Sequence, residues 1–140
     1  KVLDGDTYVL RKGNKDFTVR LNNVDAPESK QHFGFQSGLY TSQMILGKVV
    51  RYDSTGTDMY KRVLADVWMD NKRLDSLLIR NGWAWQYVQY SNDSVLKNCM
   101  QLAMDEKIGL WKCGTIGVCP PSLWRSYSKK DRIRFCDRCK

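Results

Sequence analysis

Hydrophobic and polar residues alternate in the first half of the chain with the period of two that is typical of half-buried β-strands. Residues 8–10 form a short apolar run that ends at a turn sequence over residues 12–15. Within residues 17–21, three apolar positions alternate with polar ones, so Arg20 is predicted on the face opposite the apolar side. Further β-rich runs predict strands over residues 49–52 and 62–69, with a hairpin turn at residues 70–71.

Three later segments carry apolar residues at the spacing of three and four that is typical of helices. We predict these helices over residues 35–46, from Leu74 to a stop at residues 81–82, and from a cap at Asp93 or Ser94 to Gly109. From Cys113 onward, glycine and proline replace the periodic pattern, which predicts an irregular extension. Short strands followed by helices favour a small closed β-sheet with helices packed on it.

A chain of 140 residues has the length of one domain and can bury a real core. Aromatic residues make up 11% of it and include five tryptophans, which is too many for a disordered chain. No apolar run approaches the roughly 20 residues of a membrane helix, so no membrane partner is expected. The chain begins abruptly within a β-like run, which favours a trimmed or mature form.

The net charge of +8 attracts polyanions, nucleic acids above all, but the charge is unevenly distributed. Residues 125–140 contain seven basic and two acidic residues, which leaves a net charge of +3 for residues 1–124. Two interpretations of residues 125–140 stay open, a solvated and partly disordered tail or a tail that binds polyanions. Charge alone therefore does not predict a nuclease.

Five cysteines are many for a small cytosolic protein, and four of them cluster late in the sequence. The four are Cys113, Cys119, Cys136 and Cys139, spaced as C-x5-C followed by C-x2-C. Such a set can form two local disulfides, bind a Zn²⁺ ion or remain as free thiols. Because the first spacing is loose for zinc, we favour disulfides and, with them, a secreted or periplasmic location.

Two short acidic segments stand out, although each one taken alone is an ordinary turn or a solvated loop. Asp4 and Asp6 flank a glycine just before the first strand, and Asp25 and Glu28 flank an Ala-Pro pair after the second. If these strands pair, the four carboxylates gather in one corner and repel one another unless a cation lies among them. Oxygen-rich sites of this kind suit Ca²⁺. The single histidine, His32, lies in a polar loop and is predicted to be a surface residue.

Phosphodiester hydrolysis needs a cation that neutralises the phosphate, a base that activates water, and donors for the charge of the transition state. Arginine meets the last need because its fork binds two phosphate oxygens at once. Arg20 lies between the two acidic segments, and Arg62 opens a later strand. For either arginine alone, a surface salt bridge is the simpler interpretation.

The motifs that combine these residues occur in a specific order. They are Asp4-Gly5-Asp6-Thr7, Val19-Arg20-Leu21, residues 24–28, residues 58–65, Asn81-Gly82-Trp83-Ala84 and Gly109-Leu110-Trp111. Each motif is weak alone, but the ordered set resembles the staphylococcal (micrococcal) nuclease family, also called thermonucleases. The resemblance implies an α+β fold over residues 1–111, a five-stranded OB-fold barrel with three helices. Residues 112–140 would then be an irregular, basic, cysteine-containing extension without a counterpart in that family.

The resemblance further implies a monomeric, calcium-dependent nuclease that cleaves DNA and RNA, preferably single-stranded or denatured, and leaves 3′-phosphate ends. Glu28 would hold and deprotonate the attacking water, while Arg20 and Arg62 would bind the scissile phosphate. One Ca²⁺ ion would be bound by Asp6, Asp25 and the backbone carbonyl oxygen of Ala26, with Asp4 behind these ligands.

Aromatic residues are predicted to line a nucleotide pocket. Tyr60 and Tyr90 match pocket positions of the family, where flat rings stack on any base, although both could equally belong to the core. The departures from the family pattern are a shorter loop after Glu28 and the residues Met59, Lys61 and Val88. Tyr87 could replace the pocket tyrosine that is absent at Val88. These departures bear on nucleotide affinity rather than on cleavage.

Three functions compete at this point. An active nuclease is favoured because all five positions of the carboxylate–arginine set are filled. A non-catalytic nucleic-acid- or protein-binding module on the same fold typically lacks that set. A basic barrel whose tail docks a partner explains the charge but leaves the acidic corner unexplained.

Overall fold

The computed structural model describes residues 1–31 and 33–112, which contain a five-stranded sheet, a separate two-stranded sheet and three α-helices. In chain order, the strands are β1 (Thr7–Lys12), β2 (Lys15–Leu21), β3 (Val24–Asp25), β4 (Arg51–Thr57), β5 (Val63–Met69), β6 (Lys72–Arg73) and β7 (Trp85–Gln86). The large sheet has the order β1-β2-β5-β4, with β6 paired to β5, and β3 pairs with β7. Strands β2 and β5 run parallel, whereas the other pairs are antiparallel. The predicted α+β class is therefore confirmed.

Two tight turns set the register of the antiparallel pairs. Gly13, with a φ of 60°, lies between β1 and β2, where the sequence predicts a turn. Asp70 and Asn71 join β5 to β6 with φ values of 48° and 62°. Two consecutive positive φ angles give the hairpin turn whose twist matches its strands. Both predicted turns are confirmed.

The boundaries of the remaining strands differ from the prediction. β4 begins at Arg51 rather than at residue 49, and it continues to Thr57 through polar residues that pair along β5. Val49 lies outside the strand and is 95% exposed. The strands β3, β6 and β7 were not predicted, because two residues are too few to show an alternating pattern.

The helices are α1 (Gly34–Ile45), α2 (Leu74–Arg80) and α3 (Ser94–Asp105), followed by a 3₁₀ helix (Gly109–Trp111). Asp93 caps α3, since its Oδ1 accepts hydrogen bonds from the second and third residues after it, at 2.9 and 3.2 Å. Gly47 and Gly82 have φ values of 72° and 74°, as predicted for residues that end helices.

The predicted end of the third helix at Gly109 is wrong. The helix ends at Asp105, and Lys107 adopts the left-handed conformation with a φ of 53°. Gly109 instead opens the 3₁₀ helix and touches Gly82, where a Cβ on either glycine would overlap the backbone of the other segment. The glycine is required by this close approach rather than by the helix end.

The core lies between the inner face of the large sheet and the helices. Its fully buried residues include Tyr8, Val19, Leu21, Ala65, Val67, Leu74, Leu78, Ile79 and Leu96. Since Val19 and Leu21 point inward, Arg20 lies on the outer face of β2, as predicted. None of the helices in the described ranges combines the length and apolarity that crossing a lipid bilayer requires.

The large sheet is open along its two outer strands. No strand pairing joins β1 to β4 within the described residues, and a groove of about 480 Å³ lies beside them. Apolar residues that line the groove include Val2, Phe17, Ile45, Val50 and Tyr52. A closed barrel therefore stays a prediction. His32, the extension after Lys112 and the four late cysteines lie outside the described residues.

Candidate active site

Asp6 joins the two predicted acidic segments. Its Oδ2 atom accepts a 2.6 Å hydrogen bond from the backbone N–H of Ala26, and its Oδ1 atom accepts one of 2.9 Å from the hydroxyl of Thr7. Asp4 lies directly behind, where its Oδ1 atom accepts a 3.1 Å hydrogen bond from the backbone N–H of Asp6. The structure thus brings both segments into one corner, in which Asp6 is only 5% exposed.

Helix α1 packs over this corner and fixes the first segment. The hydroxyl of Thr41 donates a 2.8 Å hydrogen bond to the carbonyl oxygen of Gly5. A Cβ on Gly5 would overlap Ser37 Oγ and would lie 2.8 Å from the Cβ of Ala26. Gly5 has no positive φ, so it is required for space and not for a left-handed turn.

Arg20 occupies the centre of the corner. Its Nη1 atom donates hydrogen bonds to the carbonyl oxygens of Leu21 at 2.6 Å and Val24 at 2.8 Å. Its Nη2 atom donates to Oδ1 of Asp25 at 3.0 Å, and its Nε atom lies 3.3 Å from Oδ1 of Asp6. The side chain is 13% exposed, so its charge is largely shielded from water. The guanidinium group therefore connects the two carboxylates and closes the loop between β2 and β3.

Glu28 follows in a short loop that rests on the first turn of α1. Its backbone N–H donates a 2.9 Å hydrogen bond to Oε1 of Gln31, whose own N–H donates to the Glu28 carbonyl oxygen at 2.8 Å. That carbonyl oxygen lies so close to Gly34 that a Cβ at Gly34 would overlap it. Glu28 itself is exposed, while Pro27 beside it is fully buried.

Two carboxyl groups of the corner, those of Asp6 and Glu28, are harder to ionise than usual. Burial, helped by the charges of Asp4 and Asp25 and opposed by Arg20, raises the pKa of Asp6 to about 7. Partial desolvation, followed by the same two aspartates, also raises the pKa of Glu28 above its usual value. The second site arginine, Arg62, acts on Glu28 in the opposite direction and thus lies within electrostatic reach of it.

Arg62 approaches from the turn between β4 and β5. Its Nε atom donates a 2.8 Å hydrogen bond to Oδ2 of Asp58, and the carbon of its guanidinium group lies 5.4 Å from the ring centre of Tyr60. The side chain is 29% exposed. Arg62 is therefore held at the rim of the corner, whereas Arg20 is held inside it.

The predicted pocket tyrosines lie on exposed segments. Tyr60 is 72% exposed and Tyr90 is 75% exposed, so neither belongs to the core. The rings of Tyr87 and Tyr90 meet edge to face at a centroid distance of 4.7 Å. Val88 and Met59 are also exposed, at 63% and 86%. These residues offer flat or apolar surfaces that a base can contact.

The predicted metal ligands are all oxygen atoms, the donors that Ca²⁺ and Mg²⁺ prefer. Arg20 bridges Asp6 and Asp25 through its Nε and Nη2 atoms. Within residues 1–31 and 33–112, no three His, Cys, Asp or Glu side chains converge closely enough to hold a metal ion. The described part of the chain thus shows no zinc site.

Sequence reasoning missed several residues that shape the site. Gln31 and Gly34 fix the Glu28 loop, and Asp58 binds Arg62. The spacing of four between Asp58 and Arg62 is the one signal that could have indicated their pairing. Nothing in the local pattern marks Gln31 or Gly34, because their role depends on a contact between a loop and a helix.

Comparisons with known proteins find nucleases and proteins named as their homologues. The family model described as staphylococcal nuclease homologue matches residues 18–113. An uncharacterized endonuclease of Haemophilus influenzae is 38% identical over 130 residues, which cover 92% of this chain and 72% of that protein. An uncharacterized endonuclease of Escherichia coli is 36% identical over 126 residues, covering 89% and 81%. The micrococcal nuclease of Shigella flexneri is 26% identical over 140 residues, covering 92% and 79%. The chain belongs to the staphylococcal nuclease family.

Proposed function

We propose that the chain is a calcium-dependent nuclease that hydrolyses the phosphodiester bonds of DNA and RNA without selecting the sugar. The observation that carries the proposal is the corner in which Arg20 contacts both Asp6 and Asp25. Glu28 and Arg62 lie within electrostatic reach of that corner. Family membership and relatives named endonucleases support nuclease activity itself.

Asp6, Asp25 and the carbonyl oxygen of Ala26 would hold one Ca²⁺ ion, with Asp4 behind them. The raised pKa of the buried Asp6 supports this assignment, because a group that is hard to ionise gains most from a nearby cation. When bound, the ion would neutralise charge on the phosphate and orient it. An oxygen-only donor set favours a hard cation over zinc or copper.

Glu28 is the residue that we assign as general base. The pKa of Glu28 is raised, and a carboxylate with a higher pKa is a stronger base and so a better proton acceptor. As the oxygen of the attacking water bonds to phosphorus, Glu28 accepts the proton that the water releases. The bond between phosphorus and the 5′ oxygen then breaks, and that oxygen leaves as a hydroxyl after taking a proton from solvent. The 3′ side keeps the phosphate.

Arg20 and Arg62 would stabilise the extra negative charge on the phosphate in the transition state. In Arg20, both Nη1–H groups and one Nη2–H group donate hydrogen bonds, and Nε faces Asp6, which leaves one Nη2–H group for a phosphate oxygen. In Arg62, the contact with Asp58 uses Nε, so both Nη groups are available for a bidentate contact. The two arginines are thus expected to contribute unequally.

Exposed aromatic rings support a preference for single-stranded or denatured substrates. Tyr60 and Tyr90 present most of their surface to solvent, and their faces can stack only on bases that are not paired within a duplex. Stacking does not depend on base identity, so little sequence preference is expected. Tyr87 adds a ring against Tyr90 beside the exposed Val88.

Further parts of the proposal concern the whole chain. We expect residues 1–111 to form a monomeric nuclease domain with a closed OB-fold barrel, and residues 112–140 to form an extension. A secreted or periplasmic location fits disulfide bonds between the four late cysteines. Mass spectrometry of unreduced peptides tests this pairing, and free thiols or bound zinc would contradict it.

The decisive experiment measures cleavage of denatured DNA and of RNA at millimolar Ca²⁺ and with a chelator. Wild type, Glu28→Gln and Arg62→Ala are compared, and the ends of the products are identified. We expect 3′-phosphate ends from the wild type with Ca²⁺ and losses of about 10²-fold or more in both variants. Wild-type protein that binds but leaves both substrates intact would instead support a non-catalytic binding module.

A further inference from the structure

We propose that Asp58 is a positioning residue that presents the guanidinium group of Arg62 to the scissile phosphate. The inference rests on the proposed function, in which Arg62 binds that phosphate. It adds a residue that the sequence analysis did not identify. The contacts of one carboxylate carry it.

Asp58 fixes the backbone of the turn that leads to Arg62. Its Oδ1 atom accepts hydrogen bonds from the backbone N–H groups of Tyr60 at 2.9 Å and Arg62 at 3.0 Å. Its own backbone N–H donates to the Arg62 carbonyl oxygen at 3.0 Å, and its carbonyl oxygen accepts from Lys61 at 3.0 Å. Hydrogen bonds thus join the first and last residues of the turn, Asp58 and Arg62, in both directions. The strand β5 then begins immediately after Arg62.

The same carboxylate also fixes the arginine side chain. Oδ2 accepts a 2.8 Å hydrogen bond from Nε, the one guanidinium nitrogen that a bidentate Nη contact does not use. A free arginine loses rotamer entropy when it binds the phosphate, whereas an anchored one has already lost part of it before substrate arrives. Asp58 therefore orients both Nη groups away from itself and leaves them available.

The ion pair between Asp58 and Arg62 is partly shielded from water, which strengthens the interaction between the two charges. The side chains of Asp58 and Arg62 are 17% and 29% exposed, and the ring of Tyr60 lies on another side of the guanidinium group. Although desolvation opposes it, hydrogen bonds from Arg62 hold the pKa of Asp58 below its usual value. Asp58 therefore stays charged throughout the pH range in which a nuclease would be assayed.

Arg11 and Asp16 form a matched pair elsewhere in the chain. The Nε atom of Arg11 lies 2.6 Å from Oδ1 of Asp16, across the antiparallel pair of β1 and β2. These side chains are 72% and 50% exposed, and neither residue has a role in the proposed site. Asp16→Asn therefore removes a carboxylate from another arginine–aspartate pair, one bound through both Nε and Nη2, without touching the corner.

The experiment compares Asp58→Asn, Asp16→Asn, Arg62→Ala and the double variant Asp58→Asn with Arg62→Ala. Asparagine keeps an oxygen for the backbone N–H groups of the turn but places an amide against Nε. We expect Asp58→Asn to lower kcat about 10- to 100-fold with little change in KM or in the unfolding temperature. Asp16→Asn should leave kcat unchanged.

The double variant separates positioning from folding. If Asp58 acts through Arg62, the double variant is no slower than Arg62→Ala alone. Additive losses, or a kcat loss that follows a fall in unfolding temperature, would overturn the positioning role. A fully active Asp58→Asn beside a slow Arg62→Ala would overturn this inference and leave the proposed function intact. A fully active Arg62→Ala would overturn the assigned role of Arg62 and this inference with it.

Discussion

Arg20 and Asp25 lie 3.0 Å apart between Nη2 and Oδ1, and both side chains are nearly buried. Because Arg20 also contacts Asp6 and two backbone carbonyl oxygens, it stabilises the folded corner as well as any bound phosphate. Removal of one partner from a shielded ion pair leaves the other charge uncompensated. Arg20 is therefore expected to stabilise the folded protein even when no substrate is bound.

Arg20→Lys should destabilise the metal-free protein by about 2 kcal/mol, because one ammonium group cannot reach all four oxygen atoms. Urea unfolding measures the change. Arg11→Lys is the matched control, since its pair with Asp16 is exposed, and its effect on the free energy of unfolding should be much smaller. Equal effects of the two variants would contradict this account.

The stability of the metal-free protein should depend on the ionisation of Asp6. The folded-state pKa of about 7 lies above the unfolded value of about 3.9, so the folded protein binds more protons between these values. This contribution to stability is fully present below the unfolded pKa and is lost as pH rises through the folded pKa. In chelator, wild type should lose a few kcal/mol of stability as the pH rises from about 4 to about 7.

Asp6→Asn is the control for that titration. Its free energy of unfolding in chelator should change less with pH than that of wild type. Added Ca²⁺ should restore wild-type stability at the higher pH, because ion binding favours the charged carboxylate. An unchanged pH slope in Asp6→Asn would show that another group is responsible.

Gly34→Ala should impair cleavage because the new Cβ overlaps the carbonyl oxygen of Glu28 and displaces the loop that carries the base. Gly38→Ala lies on the same helix, where the added Cβ would be 3.7 Å from Asp4 in ordinary contact. We expect Gly38→Ala to keep activity and to gain up to about 1 kcal/mol in stability. Comparable kinetics of the two variants would exclude a specific effect on the Glu28 loop.

Tyr60→Ala and Tyr90→Ala should each raise KM for short oligonucleotides about fivefold or more, which corresponds to about 1 kcal/mol, while the phenylalanine variants retain the ring and the affinity. Phe35→Ala is the control, since Phe35 is also 72% exposed but lies on α1. Kinetics over a range of oligonucleotide concentrations give the result. Loss of affinity in the phenylalanine variants would assign the effect to the hydroxyl groups.

Lys61→Gly should stabilise the protein by about 1 kcal/mol, because Lys61 has a φ of 61° that glycine adopts without a steric penalty. Thermal or urea unfolding measures the gain. Lys12→Gly, at the end of β1, is expected to lose stability instead. Lys61→Gly should leave kcat close to that of wild type, since Asp58 still holds Arg62.

Alternation and turn chemistry predicted the parts of the fold whose signals are local. The inward Val19 and Leu21, the Asp70-Asn71 turn and the Asp93 cap all depend on neighbouring residues. The two-residue strands and the polar second half of β4 gave no such signal. Gly109 was misinterpreted because its contact is with Gly82, which lies far away in sequence.

In the candidate site, the sequence identified residues by their chemistry and order but not by their contacts. The link between Asp6 and the backbone N–H of Ala26 depends on how two loops meet, and no local pattern encodes it. The hydrogen bonds of Gln31 and Asp58 are local, spanning three and four residues, but they require loop conformations that the hydrophobic pattern does not reveal. Their discovery required the structure.

Gly5 has a consequence for anyone who redesigns this protein. Because Ser37 and Ala26 leave no room for a side chain there, α1 can pack on the Asp-Gly-Asp sequence only while its middle residue is glycine, and Thr41 of α1 binds the carbonyl oxygen of that glycine. Transplantation of the two acidic loops into another scaffold would carry over the ligands without the surface that shapes them. The smallest portable unit of this corner therefore includes the helix as well as the loops.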